Sequence, residues 1–253
     1  MNIGAPQRQW TFLHYLNGDN NLRESVTANL ARLHAEGSSD QVQVVASLYR
    51  GQPEWSLKSL LSRLVGGSSP IASATNWRGQ KTFEVRQQDS AAESSSPLIG
   101  SADQTRPSDW RHLRDFLVQS MQAYPAQKYA LFVSSHGAGE AGLLSDSRGQ
   151  RMSVDDFRHA IREAEEATGQ EISLLALEAC SMGQPAVVDR LREVSEYIVA
   201  SPVPITTNQV AHESLLALAK QHPDWSAEEM ARATHGVYSA TVPAMQLYGG
   251  QAQ

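Results

Sequence analysis

Two short, almost uninterrupted apolar stretches constrain the fold of this chain more than any other feature. One runs from Tyr129 to Ser134 and the other from Ile172 to Leu177. Strands that are apolar on both faces are typical of parallel sheets covered by helices on each side. Ser153 opens a segment of helical spacing between the two stretches, and alternation of strands and helices predicts an α/β fold.

The amino-terminal region repeats this alternation. Trp10 to Leu16 and Gln41 to Tyr49 have the composition of buried strands. Between them, apolar residues at helical spacing predict a helix over about residues 22–35, with Asp19 or Asn20 as its cap. A strand, a helix and a strand in this order predict a βαβ unit and a parallel sheet.

The remaining elements predict one domain over residues 1–253, with a core over about 9–202 and a helical carboxyl-terminal part over 203–253. Residues 87–107 are rich in Ser, Ala, Asp and Pro, which predicts a long mobile loop. Further helices are expected at about residues 57–65, 110–121, 153–168, 185–194, 212–220 and 226–240, and further strands at 81–86 and 197–200.

Composition and charge exclude several function classes. The formal net charge is -6 and no basic patch stands out, so a nucleic acid partner is not expected. The longest apolar stretches have the length of strands, which predicts no membrane segment. The single cysteine fits a reducing compartment. Residues 1–10 lack the pattern of a signal peptide, so we expect a cytoplasmic protein, or a secreted one if a signal peptide has been removed. The oligomeric state is left open.

A histidine and the single cysteine follow the two apolar strands. His136 comes directly after the first strand and Cys180 after the second. Ligands of open parallel sheets bind outside the carboxyl ends of the strands. If the two strands are neighbours, His136 and Cys180 therefore face each other at that edge.

These residue types suit nucleophilic catalysis. A thiolate is the nucleophile, and an imidazole can take the thiol proton and return it to a leaving amine. The helix expected after Cys180 would favour the thiolate through its dipole. Gly137 lets a substrate approach the main chain, and the amides of Gly137 and Cys180 are expected donors to an oxyanion.

Simpler interpretations compete with catalysis at each residue. A lone cysteine is often a buried apolar residue, and a His-Gly pair is often a turn. The other histidines are scattered without zinc-site spacing, so no metal site is expected. Gly137 to Gly142 has the glycine pattern of a dinucleotide site but no helix start directly after it. The matching positions of His136 and Cys180 favour catalysis over these interpretations.

Three motifs resemble those of a known family. They are Gly18-Asp-Asn-Asn-Leu22, Ser135-His-Gly-Ala-Gly139 and Leu177-Glu-Ala-Cys-Ser-Met182. In order and spacing they resemble the clostripain family of cysteine peptidases, in the clan of caspases, legumains, gingipains and separases. The resemblance covers roughly residues 10–202. It implies a caspase-like three-layer sandwich with a mainly parallel central sheet.

The resemblance also implies a reaction. His136 and Cys180 match a catalytic dyad that cleaves polypeptides after a basic P1 residue, Arg or Lys. Glu178 stands where the family usually has an aspartate that helps hold the P1 side chain; the alternative is a solvated charge at a strand end. A second acidic position after the strand at 197–200 is missing, because the chain reads Pro202-Val203 there.

Further consequences of the resemblance concern activation and cofactors. Some members are processed between the His and Cys strands, and Arg148 and Arg151 lie there as candidate self-cleavage points; the alternative is an ordinary surface loop. Some members depend on calcium, but Asp146, Asp155 and Asp156 lack EF-hand spacing, so no cofactor is expected. Two other functions remain open: a non-catalytic caspase-like interaction module, and another thiol enzyme such as an acyltransferase.

Overall fold

One seven-stranded sheet organises the residues that the computed structural model describes, which are 8–51, 77–87, 96–103, 106–205 and 210–241. Its strand order is β4-β3-β2-β1-β5-β6-β7. The β2–β1, β1–β5, β5–β6 and β6–β7 pairs are parallel, whereas the β2–β3 and β3–β4 pairs are antiparallel. The strands are β1 (Arg8–Gly18), β2 (Val42–Arg50), β3 (Gly79–Glu84), β4 (Leu98–Ala102), β5 (Ala126–Ser134), β6 (Leu174–Glu178) and β7 (Tyr197–Ala200).

Six helices in the described ranges cover the two faces of the sheet. They are α1 (Arg23–Glu36), α2 (Trp110–Ala123), α3 (Val154–Thr168), α4 (Pro185–Leu191), α5 (His212–Gln221) and α6 (Ala227–Thr241). The apolar residues of α2, α3 and α4 share one core, and those of α1, α5 and α6 share the other. The architecture is therefore a three-layer α/β sandwich with a mainly parallel sheet, as the sequence predicts.

Side-chain alternation along β5 and β6 decides which layer each residue faces. Leu175 and Leu177 enter the core beneath α2, α3 and α4, whereas Leu174 and Ala176 enter the opposite core. Successive residues of a strand point to opposite faces. Glu178, the last residue of β6, therefore faces the layer of α1, α5 and α6. This placement is decisive for the functional site.

Helix α3 begins and ends where local chemistry predicts. The Ser153 side chain accepts a hydrogen bond of 3.0 Å from the amide of Asp156, the third residue of the helix. Gly169 ends the helix in the left-handed region at φ 67°, which glycine adopts without steric cost. Both signals are confirmed.

The start of α1 differs from the prediction. Neither Asp19 nor Asn20 caps the helix, because its N-cap position is Leu22 and no side chain bonds there. Asn20 Oδ1 instead accepts a hydrogen bond of 2.8 Å from the amide of Leu22, the residue directly before the helix. The two polar residues thus shape the loop between β1 and α1 rather than the helix terminus.

The segment expected to be a mobile loop, residues 87–107, contains a strand. Leu98 to Ala102 form β4 at the sheet edge, where they pair with β3. The loop prediction is wrong for these residues because backbone pairing overrides their weak strand composition. Residues 88–95 and 104–105, like the helix expected at 57–65, lie outside the described residues.

Candidate active site

His136 and Cys180 follow two neighbouring parallel strands. β5 pairs with β6 so that Ser134 lies beside Glu178 at the carboxyl ends of the strands. The Ser135 amide donates to the Glu178 carbonyl at 3.2 Å and extends this contact by one residue. The expected neighbourhood of the two strands is therefore confirmed. Both His136 and Cys180 are partly exposed at this edge.

The loops that carry the two residues are in van der Waals contact. A Cβ atom on Gly137 would lie 2.5 Å from the carbonyl oxygen of Cys180 and 2.9 Å from the Ala179 Cβ. These distances are too short for a side chain, so only glycine allows the loops to approach this closely. The site therefore requires glycine directly after His136.

The amides expected to form an oxyanion hole have no backbone acceptor within the described residues. Gly137 faces Leu143 in an isolated bridge, but neighbouring residues make its hydrogen bonds. Leu144 donates to the His136 carbonyl at 3.1 Å, and Ala138 donates to the Gly142 carbonyl at 2.9 Å. The Gly137 amide thus takes no part in these backbone hydrogen bonds between the described residues.

The imidazole of His136 is held by the loop that follows β1. Its Nε2 atom lies 2.6 Å from Oδ1 of Asn21. Partial burial, and then the positive charge of Arg151, lower the pKa of His136 below its usual value of 6.5. The ring is therefore neutral at pH 7, which is the form that accepts a proton.

The thiol of Cys180 lies against the segment that follows β7. The Ile205 amide donates to Sγ at 3.4 Å, and the Sγ thiol lies 3.4 Å from the Ile205 carbonyl oxygen. Two backbone bonds hold this segment beside the nucleophile loop: Ser181 donates to the Val203 carbonyl at 3.1 Å, and Gly183 donates to the Ser201 carbonyl at 2.8 Å. The segment after β7, where the second acidic position of the family is missing, therefore contacts the Cys180 loop through its backbone.

The turn after Cys180 separates the thiol from the next helix. Ser181 has φ 62°, which is uncommon for a residue with a side chain and stores local strain. Helix α4 begins only at Pro185. The helix therefore begins where the sequence predicts it, but the effect of a helix dipole falls off within the first turn, so a start five residues after Cys180 gives the thiolate little support.

Glu178 is fully buried, with an exposed fraction of 0%. The Ser134 hydroxyl donates to Oε2, and the Tyr238 hydroxyl donates to Oε1 at 2.5 Å. Nε2 of His212 lies 3.2 Å from Oε2. We call Glu178, Ser134, Tyr238 and His212 the Glu178 cluster.

The charge state of Glu178 follows from these partners. Burial by itself raises the pKa of the carboxyl, but the charge of His212 and the donated hydrogen bonds lower it to about 2. His14 lies beside the cluster, with its ring 5.4 Å from that of His212. Burial, and then the His212 charge, lower the pKa of His14 to about 3, so His14 is neutral in the folded protein.

This environment excludes the alternative interpretation of Glu178. It is not a solvated strand-end charge, because no part of its side chain reaches solvent. Nor does the structure present it in an open pocket, because both carboxylate oxygens already have partners. A direct contact with a P1 side chain would require Glu178 to give up these partners.

Arg148 and Arg151 lie in a small hairpin between β5 and α3. Leu143 pairs with Met152, and the Asp146 amide donates to the Gln150 carbonyl at 2.9 Å. Ser147 to Arg151 form an exposed tip. The tip is therefore open to solvent, and the self-cleavage role of the two arginines stays a prediction.

The three aspartates weighed as calcium ligands do not share a site. Asp146 accepts bonds from the Ser108 hydroxyl and from two amides of its own hairpin. Asp155 pairs with Arg158 and Arg190 on the surface. Within the described residues, no group of three or more His, Cys, Asp or Glu side chains has the arrangement of a metal site.

The asparagines around the end of β1 are functional candidates that the residue-level reasoning missed. Asn17 donates to Ser135 Oγ at 3.1 Å and to the Ser145 carbonyl at 2.8 Å, and Asn20 donates to the same carbonyl at 2.9 Å. Because β1 is the other neighbour of β5, the rule that placed His136 at this sheet edge also applies to them.

A helix long and apolar enough to cross a membrane is not found anywhere in the described part of the chain.

Solved structures with the same fold are bacterial proteases. A secreted C11 cysteine protease from Bacteroides thetaiotaomicron, in complex with an irreversible peptide inhibitor, matches with a TM-score of 0.68 at 19% identity. The match covers 92% of this chain and 59% of that one. An inactive zymogen C11 protease from Parabacteroides distasonis matches with a TM-score of 0.62 at 17% identity, covering 92% of this chain and 60% of that one. The chain thus spans about three fifths of the length of these proteins.

No functionally curated protein matches the chain significantly. The sequence model of the clostripain family, Peptidase_C11, matches residues 14–250 and so includes the loops of Asn21, His136 and Cys180. The solved structures share the fold that this match implies. The chain therefore belongs to the clostripain family of cysteine peptidases.

Proposed function

We propose that this protein is a cysteine endopeptidase in which His136 and Cys180 form the catalytic dyad. The observation that carries the proposal is the contact between their two loops, in which Gly137 packs against the Cys180 carbonyl. Membership of the clostripain family supports the same chemistry. A neutral His136, on a loop that contacts the loop of the only cysteine of the chain, suits a base and a nucleophile.

The reaction follows from these roles. His136 takes the proton of the Cys180 thiol, and the thiolate attacks the scissile carbonyl carbon. The amides of Gly137 and Cys180 donate to the oxyanion that forms. The C–N bond then breaks, His136 gives its proton to the leaving amine, and a thioester remains. His136 next removes a proton from water, which attacks the thioester and releases the new carboxyl end and the thiol.

The proposed substrates are polypeptides with Arg or Lys at P1, as the family resemblance implies. Glu178 supports this preference by its position two residues before the nucleophile and by its ionised carboxylate. The carboxylate is buried and accepts hydrogen bonds from Ser134 and Tyr238. Replacing Glu178 by Gln separates the two roles: a lost Arg and Lys preference assigns it to P1 binding, whereas an unchanged preference with a less stable fold assigns it to structure.

A panel of fluorogenic peptides tests the proposal. Wild type and Cys180→Ala would be incubated with peptides that carry Arg, Lys, Asp or Leu at P1. We expect turnover of the Arg and Lys peptides that disappears in Cys180→Ala, while circular dichroism shows the same fold for both proteins. Turnover that survives the loss of the thiol would contradict the dyad, and preferred cleavage after Asp would contradict basic specificity.

Self-cleavage is part of the same proposal. Arg148 and Arg151 are basic and lie on the exposed tip of the hairpin between the two catalytic strands. Intact mass after storage tests this: fragments ending at Arg148 or Arg151 are expected in wild type and absent in Cys180→Ala. A cytoplasmic location remains a prediction from the sequence, and fractionation of cells that produce the protein tests it.

The two other functions make different predictions for the same samples. An interaction module would show no turnover with any peptide. An acyltransferase would form the thioester but pass the acyl group to an added amine rather than to water. The release of free acid in water as the main product would exclude it.

A further inference from the structure

We propose that Asn21 is a positioning residue that holds His136 in the tautomer and orientation needed for proton transfer with Cys180. The proposal rests on the dyad proposed above, and it adds a third residue to it. Asn21 contacts neither the thiol nor any reacting atom in this proposal, and it acts only through the imidazole.

The geometry of the contact carries the assignment. Oδ1 of Asn21 lies 2.6 Å from Nε2 of His136, within the range of a strong hydrogen bond. A carbonyl oxygen accepts only, so Nε2 must carry the proton. In a neutral imidazole the other nitrogen, Nδ1, is then the acceptor. The Asn21 contact thus reserves Nδ1 for the thiol proton.

The loop that presents Asn21 is fixed to the loop that presents His136. Asn17 donates to the Ser135 hydroxyl, directly before His136, and to the Ser145 carbonyl in the hairpin after it. Asn20 donates to the same Ser145 carbonyl. These bonds tie the end of β1 to both sides of His136. The acceptor is therefore in place before a substrate binds, which is the condition for efficient positioning.

A purely local role does not explain the Asn21 side chain. It is exposed, and it does not cap α1, whose N-cap residue is Leu22. Within the described residues, its side chain makes no hydrogen bond other than that to His136. Two residues of the motif Gly18-Asp-Asn-Asn-Leu22 thus have different roles. Asn20 fixes the loop, and Asn21 orients the imidazole of His136.

A spectroscopic experiment tests the assignment without relying on activity. Proteins with 15N-labelled histidine would be prepared in the Cys180→Ala background, with and without Asn21→Ala. Nitrogen shifts show which ring nitrogen carries the proton. We expect His136 to hold its proton on Nε2 in the parent and to populate both tautomers in Asn21→Ala. A parent protonated on Nδ1, or a ratio unaffected by Asn21→Ala, would overturn the proposal.

Kinetics with an Arg peptide give the second readout. Asn21→Ala is expected to lower kcat by about 10- to 100-fold while KM changes little, because the loss lies in orientation and not in substrate binding. Asn21→Asp keeps the acceptor and should recover much of kcat. Its added negative charge should also move the acidic limb of the pH profile upward, against the opposing charge of Arg151.

Matched variants separate this role from a folding defect. Gln122→Ala removes an exposed amide from α2, away from the site, and should leave kcat and the pH profile as in wild type. A kcat for Asn21→Ala equal to that of Gln122→Ala would contradict the proposal. If wild type itself cleaves no peptide, the dyad proposal fails, whereas the tautomer experiment still decides whether Asn21 sets the proton on His136.

Discussion

His136 owes its acid–base properties to two neighbours on different loops. Asn21 sets the hydrogen bond at Nε2, and Arg151 adds a positive charge that, after burial, lowers the pKa of the ring. Arg151 is itself held by its Nε atom, which donates to Ser145 Oγ at 3.1 Å. The hairpin that carries a predicted cleavage point therefore also adjusts the proposed base.

Removing the charge of Arg151 should shift the pH dependence of the enzyme. Because Arg151 lowers the pKa of His136, Arg151→Gln should raise it. A base with a higher pKa is protonated at a higher pH, so the acidic limb of kcat/KM should move upward. Arg148→Gln, in the same hairpin, is the matched control and should leave the limb in place. Equal shifts in both variants, or none in either, would contradict this assignment.

The sequence predicted the positions of the proposed dyad residues better than their environment. His136 and Cys180 could be found because each follows an apolar strand, and parallel strands end at one edge. The burial of Glu178 could not be found in this way. Its neighbours His212 and Tyr238 come from two later helices. Only the packing of these helices shows that the carboxylate two residues before Cys180 is shielded from solvent.

The Glu178 cluster links the strand of the nucleophile to the carboxyl-terminal helices. Glu178 ends β6, His212 begins α5, and Tyr238 lies in the last turns of α6. A buried carboxylate is costly unless hydrogen bonds and an opposite charge compensate for its lost hydration. Helices α5 and α6 therefore stabilise the end of β6 from which the Cys180 loop starts.

Variants in this cluster should destabilise the fold. Glu178→Gln replaces a buried carboxylate that accepts hydrogen bonds from Ser134 and Tyr238, and it should lower the free energy of unfolding by about 1–3 kcal/mol. Tyr238→Phe leaves a carboxylate oxygen without its donor and should cost about 1–3 kcal/mol. Tyr197→Phe on the neighbouring strand is the control and should cost less. Urea unfolding measures all three, and a Tyr238→Phe variant as stable as the control would contradict the role of the hydroxyl.

The same cluster ties stability to pH. The carboxyl of Glu178 titrates at about 2 in the folded protein and near its usual value of 4.5 when unfolded. Its ionisation therefore stabilises the fold above pH 4.5, and this contribution is lost as the pH falls towards 2. His14 also makes the fold less stable as the pH falls. Its pKa is lowered from 6.5 to about 3 in the folded protein, so the unfolded chain binds the proton more tightly.

The three-layer arrangement follows from patterns that the sequence displays openly. Apolar strands in alternation with amphipathic helices predict a mainly parallel sheet, and the sheet found has that form. β4 was missed because its residues, Leu98-Ile-Gly-Ser-Ala102, lie in a segment whose composition is typical of loops. Helices α5 and α6, in the part expected to be helical, share an apolar core with α1 and the sheet.

The loops that carry the proposed functional residues all lie at one edge of this sheet. The loops after β1, β5 and β6 and the segment after β7 supply Asn21, His136, Cys180 and Ile205, each through a contact with a neighbouring loop. This arrangement brings a thiol, an imidazole, the two proposed amide donors and the proposed positioning group to one edge of the sheet. The dyad at that edge is what the account of function depends on most.

Covalent capture of the thiol tests that dyad most directly. The protein would be treated with an acyloxymethyl ketone peptide bearing Arg at P1, and the modified residue would be located by mass spectrometry. We expect one adduct, on Cys180, that forms at least about 100-fold more slowly in a folded His136→Ala variant. No adduct on Cys180, or equal rates in the two proteins, would contradict the dyad.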